Sequence, residues 1–333
     1  MKKIAINGFG RIGRLAFREL INRNDYEVVA INDLTDSETL AYLLKYDSNH
    51  RTFNPELISH DAENLIYDGK KIRIFAEKDA ANLPWKELEV DVVLECTGFY
   101  TSLEKSMAHI NAGAKKVLIS APAKGDLETV VFGVNEDILD GSEQVVSAAS
   151  CTTNCLAPVL KVIEDNIGIV KGFMTTIHAY TNDQATLDVP HNKGINSRRG
   201  RACAVNIVPA STGAASAIGL VIPSLKGKFD GTAFRVPVSD GSVIDVTMEL
   251  KRNTSIEELN ELFRNNQSEA LKFTMDPIVS SDIIGSRVGA LVDGQSTNVI
   301  EHDGKQLVKV VAWYDNEMGY TVQMIRTFDK LMK

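Results

Sequence analysis

Three glycines near the N-terminus, Gly8, Gly10 and Gly13 in "INGFGRIGR", constrain this chain more than any other feature. A short β-like run, "KIAIN" (residues 3–7), leads into them. An amphipathic helical pattern, "RLAFRELINRN", follows, and "YEVVAIND" then reads as a second strand. Strand, glycine turn, helix and strand make a βαβ unit. In such a turn the first glycine permits the tight bend and the second lets a pyrophosphate approach the backbone. The third lets helix and strand pack closely, while the helix N-terminus offers N–H groups to the phosphates. Asp33 ends the second strand 20 residues beyond Gly13. A carboxylate there accepts from an adenosine ribose 2′-hydroxyl and repels a 2′-phosphate. The pattern predicts dinucleotide binding, with NAD favoured over NADP. The plain alternative is a glycine-rich turn in an α/β core.

The runs "DVVLECTG" (Asp91 to Gly98), "KVLIS" (Lys116 to Ser120) and "TVVFGV" (Thr129 to Val134) are continuously apolar, as suits parallel strands covered on both faces. "SLEKSMAHINAG", ending at Gly113, reads as a helix between two of them. After about residue 150 the pattern changes. A helix is predicted over Cys151–Asn166, then a strand in "KGFMTTIHAYT", a long polar loop at 182–201 and a small-residue helix, "TGAASAIGLVIPSL". Strands "TAFRVPV" and "SVIDVTMEL" follow, then a helix, "SIEELNELFRNNQ", with Ser255 and Glu258 at capping-box spacing. "LVKVVAWYD" is the last strand and "GYTVQMIRTFDKLMK" the terminal helix. The expected fold class is α/β, with a Rossmann-type, mostly parallel N-terminal sheet and a second α+β domain whose sheet is mostly antiparallel.

A length of 333 residues favours two domains, and the net charge of −8 argues against a general nucleic-acid binder. The densest cationic cluster, "SRRGR" (Ser197 to Arg201), leaves room for a local anion site. "MKKIAINGFG" has no apolar core of signal-peptide length before its glycines, and no segment reaches the roughly 18 apolar residues of a membrane span. Four cysteines, at 96, 151, 155 and 203, do not make a disulfide framework, so a reducing cytoplasm is the default expectation.

In "SAASCTTNC", Cys151 could be a buried small side chain, a metal ligand, half of a redox pair or a nucleophile. A metal site needs about four ligands, and Cys151 and Cys155 supply two with no histidine nearby. Cys151 stands at a predicted helix start, where the dipole and free N–H groups stabilise a thiolate. Ser150 and Thr152 add donors for an oxyanion or a bound anion. A dinucleotide domain precedes the cysteine, and dehydrogenases that pass through a thioester use a cysteine nucleophile. Cys155 is expected to be packed, and Cys96 and Cys203 structural. Of six histidines, at 50, 60, 109, 178, 191 and 302, His178 lies on the strand that returns after the Cys151 helix, and the others read as polar loop or surface residues.

These motifs, together with "HAYT", "RR", "PASTGAA", "FRVPV" and "WYDNEMGY", resemble the phosphorylating glyceraldehyde-3-phosphate dehydrogenase family in order and spacing, over essentially the whole chain. The resemblance implies an NAD-binding domain at 1–150, a catalytic domain at 151–316 and a C-terminal helix, 317–333, packing back on the first. It implies that Cys151 attacks the aldehyde of glyceraldehyde 3-phosphate, while His178 lowers the thiol pKa and takes the hemithioacetal proton. Hydride passes to NAD, and phosphate releases 1,3-bisphosphoglycerate from the thioester. One anion pocket would use Ser150, Thr152, Thr212 and Gly213 with Arg199 close by, the other Thr181 and Arg235. For the cofactor, Arg11 and Ile12 would contribute at the glycine turn beside Gly8, Gly10 and Gly13. Asp33 would bind the ribose, Lys78 and Ser120 would touch the dinucleotide, and Asn316 would hold the nicotinamide carboxamide with Tyr320 nearby. Leu34 and Pro190 match an NAD-preferring pattern, with Pro190 from a neighbouring subunit of a homotetramer. Ser286–Ile300 departs from the family pattern in lacking an aromatic residue. Two other readings stand beside this one. The first is erythrose-4-phosphate dehydrogenase, which shares these motifs but releases an acid. The second is a regulator or adhesin role secondary to the enzyme.

Overall fold

In a computed structural model describing residues 1–333, the glycine turn joins β1 (Lys2–Asn7) to α1 (Arg11–Leu20), and β2 (Tyr26–Asn32) follows. The chain continues through α2 (Ser37–Lys45), β3 (Ile58–His60), β4 (Asn64–Tyr67), β5 (Lys70–Phe75), β6 (Val92–Glu95), α3 (Leu103–Asn111), β7 (Lys116–Ile119) and β8 (Val145–Ser147). These strands form one sheet in the order β3-β4-β5-β2-β1-β6-β7-β8. All pairs from β5 to β8 are parallel, and only the edge meander β3-β4-β5 is antiparallel. Because β1 lies between β2 and β6, the chain winds away from it in both directions. The crevice at the carboxyl end of β1 is therefore the topological switch point where ligands bind in such sheets. The strands around it are apolar on both faces, with Ile4, Ala5, Ile6, Val92, Val93 and Leu94 fully buried.

The second part begins with α4 (Cys151–Asn166) and β9 (Ile169–Ala179). Then come β10 (Val208–Ser211), α5 (Ala214–Val221), β11 (Phe229–Val236), β12 (Ser242–Leu250), α6 (Ile256–Asn265), β13 (Leu271–Thr274), β14 (Ala290–Asp293), β15 (Asn298–His302), β16 (Lys305–Tyr314) and α7 (Met318–Leu331). Its sheet runs β10-β11-β9-β12-β16-β14-β13, with β15 paired to β16. It is mostly antiparallel, with β9-β11 and β13-β14 parallel. The chain divides into two units. One comprises Met1–Val130, Glu136–Ala149 and Met324–Lys333, and the other Val131–Asn135 and Ser150–Gln323.

Two local expectations fail. "TVVFGV" is not a strand. Thr129 makes a single bridge to Ser147, after which Asn135 Oδ1 accepts from Val131 N at 2.9 Å and the chain turns. The strand that completes the first sheet is β8, whose three residues are too few to show a period. The capping box is also half made. Ser255 Oγ accepts from Glu258 N at 3.1 Å, but the Glu258 carboxylate turns to Arg252 at 2.7 Å and to Thr254 Oγ1 at 2.7 Å.

The last turns of α7 bury Phe328 against Tyr26, with ring centroids 4.7 Å apart. Arg23 stacks on the same tyrosine at 4.5 Å and pairs with Asp329 at 3.0 Å. Phe328 is fully buried, so Phe328→Ala should cost about 3–5 kcal/mol in a urea titration, the usual range for an emptied aromatic site. Arg23→Ala, which removes a partly exposed pair, should cost about 1 kcal/mol or less.

Candidate active site

Ala149 adopts φ +58° and turns the chain out of β8 toward α4. Ser150 caps that helix, its Oγ accepting from Thr153 N at 3.1 Å. Cys151 is thus the first helical residue, beside N–H groups that have no intrahelical partner. Its Sγ lies 3.4 Å from His178 Nε2. His178 comes from β9, whose alternation buries Met174, Thr176 and His178 on one face. The imidazole Nδ1 is 2.7 Å from Ala179 O. A carbonyl only accepts, so Nδ1 carries the hydrogen and Nε2 turns its lone pair to the sulfur. Tyr314, fully buried, packs edge-on against His178 and bridges Thr152 Oγ1 at 2.9 Å and Thr176 Oγ1 at 2.8 Å.

Burial disfavours charge on either partner alone. It pushes the Cys151 thiol up, against Arg235, the Thr152 hydroxyl and the N–H groups of the helix start, which pull it down. Burial and then Arg235 push His178 down to about 3. Proton transfer from sulfur to Nε2 would leave the pair's net charge unchanged, so the two groups titrate as one coupled unit.

Two further groups of expected residues gather here. Arg235, the register partner of His178 across the β9–β11 pair, donates to Thr181 Oγ1 at 2.9 Å and to Ala179 O at 3.1 Å. Thr181 Oγ1 donates to Asp183 Oδ1 at 2.5 Å, and Asp183 also pairs with Arg199. Arg199 borders a cavity of about 480 Å³ with Lys193, Arg198 and Ser211. Thr212 Oγ1 accepts from Ala214 N at 3.2 Å, and Gly213 caps α5 with open space where a Cβ would stand. The Ser150 and Thr152 hydroxyls both have protein partners. The Ser150 hydroxyl faces Thr153, 2.7 Å from its Oγ1, and the Thr152 hydroxyl is buried against Tyr314. Both side chains hold the site's frame, and the turn also offers backbone N–H groups to an anion. Asp183 carries no local sequence signal, and Tyr314 lies in the motif "WYDNEMGY" without a role assigned to it from sequence.

The first unit contains a cavity of about 740 Å³ lined by Gly8, Gly10, Asp33, Leu34 and Lys78, among others. The residues fit a dinucleotide. Gly8 has φ +92° and no room for a Cβ, which would lie 2.8 Å from the Cys96 carbonyl carbon. At Gly13 a Cβ would lie 2.1 Å from Gly8 O, so this glycine serves the helix–strand approach. Gly10 has nothing within 4 Å of a Cβ, and as N-cap of α1 it leaves the helix N-terminus without a side-chain cap. No protein neighbour requires glycine there, whereas a phosphate seated on the N–H groups does. Asp33 Oδ2 accepts from Phe9 N at 2.8 Å, which aims the carboxylate from the turn. The Arg11 guanidinium is held by the buried Asp47, with Nη2 3.0 Å from Oδ1. Arg11 and Ile12 are the first two residues of α1 and carry its free N–H groups. Ser120 N–H pairs with Glu95 O at 2.9 Å, placing Ser120 just past β7.

In the second unit, Asn316 Oδ1 accepts from Ser242 Oγ at 2.7 Å, so its Nδ2 is the pole presented to any carboxamide oxygen. Tyr320 is buried in α7, and Pro190 is exposed on the long loop.

Residues 2–103 match the family described as "Glyceraldehyde 3-phosphate dehydrogenase, NAD binding domain", and residues 150–316 the one described as "Glyceraldehyde 3-phosphate dehydrogenase, C-terminal domain". The chain belongs to the glyceraldehyde 3-phosphate dehydrogenase family. It is 57% identical over 333 residues to a glyceraldehyde-3-phosphate dehydrogenase of Clostridium pasteurianum, covering 100% of this chain and 99% of the relative. It is 56% identical to one of Clostridium acetobutylicum, with 100% of each chain covered, and 53% to one of Streptococcus pyogenes, covering 99% of this chain and 98% of the relative. The NAD-binding domain of this family thus coincides with the stretch that carries the glycine turn, Asp33 and most of the cavity.

The two open questions about the glycines separate experimentally. Gly10→Ala should leave stability within about 1 kcal/mol and weaken NAD binding. Gly13→Ala should cost about 1–3 kcal/mol or more, because backbone must move. Urea titration alongside calorimetric NAD titration reads both effects. Equal loss of stability in the two variants would count against a phosphate-facing role for Gly10.

Proposed function

We propose that the chain is a phosphorylating, NAD-dependent glyceraldehyde-3-phosphate dehydrogenase that converts D-glyceraldehyde 3-phosphate, phosphate and NAD+ to 1,3-bisphosphoglycerate and NADH, with Cys151 carrying the acyl group. The observation that carries this reading is the 3.4 Å approach of Cys151 Sγ to a His178 Nε2 whose lone pair is aimed by the Ala179 carbonyl. The sulfur gives its proton to Nε2 and bonds to the aldehyde carbon. The imidazolium returns that proton to the new alkoxide, making the hemithioacetal hydroxyl, and Nε2 takes it back as the C–H bond breaks, leaving a thioester on Cys151. Bound NAD supplies the hydride acceptor. Phosphate attacks the acyl carbon, the C–S bond breaks, and the cysteine returns. Thr181 and Arg235 take one phosphate, and Ser150, Thr152, Thr212 and Gly213 with Arg199 close by take the other, by charge-assisted hydrogen bonds. Asp183 holds Thr181 and Arg199 until an anion competes for them.

Gly8, Gly10, Arg11 and Ile12 seat the pyrophosphate with Gly13 letting α1 pack close, Asp33 and Leu34 take the adenosine side, and Lys78 and Ser120 flank it. Asn316 orients the carboxamide, with Tyr320 beside it. We also assign a homotetramer, to which Pro190 contributes from a neighbour. Supporting this, the sheet of the second unit leaves Phe173 70% exposed and Ile300 62% exposed, and the long loop exposes Ile195. No helix is long and apolar enough to cross a membrane, and four free cysteines fit a cytoplasmic location.

NADH formation from glyceraldehyde 3-phosphate should depend on added phosphate. Phosphate-independent turnover to an acid would overturn the phosphorylating assignment. Cys151→Ser should abolish turnover while NAD binding stays nearly intact. His178→Asn should lower turnover about 10²–10⁴-fold. With the internal proton acceptor gone, burial of the sulfur is no longer offset, so thiol alkylation should need a higher pH, toward and beyond the free-cysteine value of about 8.5. An unchanged alkylation profile would leave His178 as base only. Asp33→Ala should weaken NAD binding and narrow the gap to NADP in a comparison of the two cofactors' KM values.

A further inference from the structure

His109 is fully buried in α3, although its sequence context reads as polar surface. Trp85 Nε1 donates to its Nδ1 at 3.0 Å. An indole N–H only donates, so Nδ1 holds the lone pair and the hydrogen sits on Nε2. That Nε2 is 3.2 Å from Oε2 of Glu95, which is buried as well. The same Oε2 accepts from Asn7 Nδ2 at 2.5 Å, and Oε1 accepts from Thr97 N at 2.7 Å and from the Thr97 hydroxyl. Four donors converge on a carboxylate with about four acceptor positions. A buried glutamate satisfied in this way is rigid, and its partners have no second orientation.

The consequence travels outward. Giving Nδ2 to Glu95 turns Asn7 Oδ1 to Asn32 Nδ2, 2.7 Å away. Asn32 then pairs with the backbone of Glu77 in both directions, Nδ2 to Glu77 O and Glu77 N to Oδ1, each 2.9 Å. Tyr100 OH accepts from Ala80 N at 2.9 Å and donates to Lys78 O at 3.1 Å. The segment 77–80 is therefore clamped on both sides. Asn7, Asn32, Glu77, Lys78, Thr97 and Tyr100 all line the 740 Å³ cavity, whereas Glu95, His109 and Trp85 do not.

We propose that Trp85, His109 and Glu95 are positioning residues for dinucleotide binding: the buried relay dictates the amide orientations of Asn7 and Asn32 and so holds the floor and the 77–80 wall of the cavity in the shape that accepts NAD. This rests on the reading that the cavity binds NAD, and it extends recognition to groups that touch no ligand.

The test uses the full-length enzyme with NAD and with ADP-ribose as probes. Glu95→Gln keeps the shape but forces an amide N–H₂ against donors, so Asn7 or Thr97 must turn. The Kd for NAD and for ADP-ribose should rise about tenfold or more, the scale of one lost buried hydrogen bond. The KM for NAD should rise with them, with kcat and the KM for phosphate within about twofold. Trp85→Phe removes the donor that sets the tautomer of His109 and should raise the same constants by a smaller factor. It serves if Glu95→Gln does not fold. His109→Gln keeps an N–H toward Glu95 and should bind NAD more tightly than His109→Leu. Loss of stability with unchanged Kd in Glu95→Gln and Trp85→Phe would overturn the proposal and leave the network merely structural. Failure of the wild type to bind NAD would instead overturn the cofactor reading, and the Gly10→Ala titration separates the two failures.

Discussion

The alternation of β9 beneath α4 is the constraint on which the catalytic centre rests. Met174, Thr176 and His178 face the helix because β9 lies between β11 and β12 in fixed register. A slip of one residue would turn Ile177 inward and His178 out. The same register sets Arg235 beside His178, and β12, paired to the other edge, brings Ser242 to Ala179 N and to Asn316 Oδ1. One strand thus aligns His178, the Arg235 guanidinium and the Asn316 amide, the groups proposed as base, phosphate contact and carboxamide contact. Helix α4 needs only to begin at the right residue, which the Ser150 cap ensures.

Charge is arranged around that centre so that no ion stands alone. Arg235 lies where it favours negative charge on sulfur and opposes positive charge on the imidazole. A proton resting on His178 is therefore short of stabilisation and ready to be returned or passed on, as acid–base work requires. Asp183 offsets the cationic pair Arg199 and Arg235, and Thr181 joins it to them. On the proposed function, a phosphate would replace Asp183 as counter-anion rather than enter an uncompensated cationic pocket, making binding an exchange of partners that limits its net strength.

Much of this was legible locally. The span Cys151–Asn166 needs only a serine cap and an apolar face, and Ser242–Leu250 shows strict alternation, so the helix and the strand appear where the pattern puts them. The turn "INGFGRIGR" is legible because Gly8 and Gly13 answer to contacts within one βαβ unit. What failed needed distant partners. Tyr314 reaches Thr152 across 162 residues of sequence, and nothing near either residue announces the other. Glu258 has an attractive alternative in Arg252, so the reciprocal half of its capping box loses to an ion pair. "TVVFGV" has the composition of a strand, but the Asn135 side chain takes the N–H that a ladder would use. His109 was misplaced for a related reason. A polar residue on the inner face of a helix looks exposed until its buried partners, Trp85 and Glu95, are known.

The two buried histidines show how one side chain acquires opposite functions. At His178 the group beyond Nδ1 is a carbonyl, so Nδ1 must donate and Nε2 is left to accept from a thiol. At His109 the group beyond Nδ1 is an indole N–H, so Nδ1 must accept and Nε2 is left to donate to a carboxylate. Neither outcome depends on the histidine or on the degree of burial, which is nearly complete in both. It depends on whether the far neighbour gives or takes a hydrogen bond. Exchanging those neighbours would turn the base at Cys151 into a donor and leave Glu95 facing a lone pair. The chemistry of each imidazole is thus set about one ring-width away from where it acts.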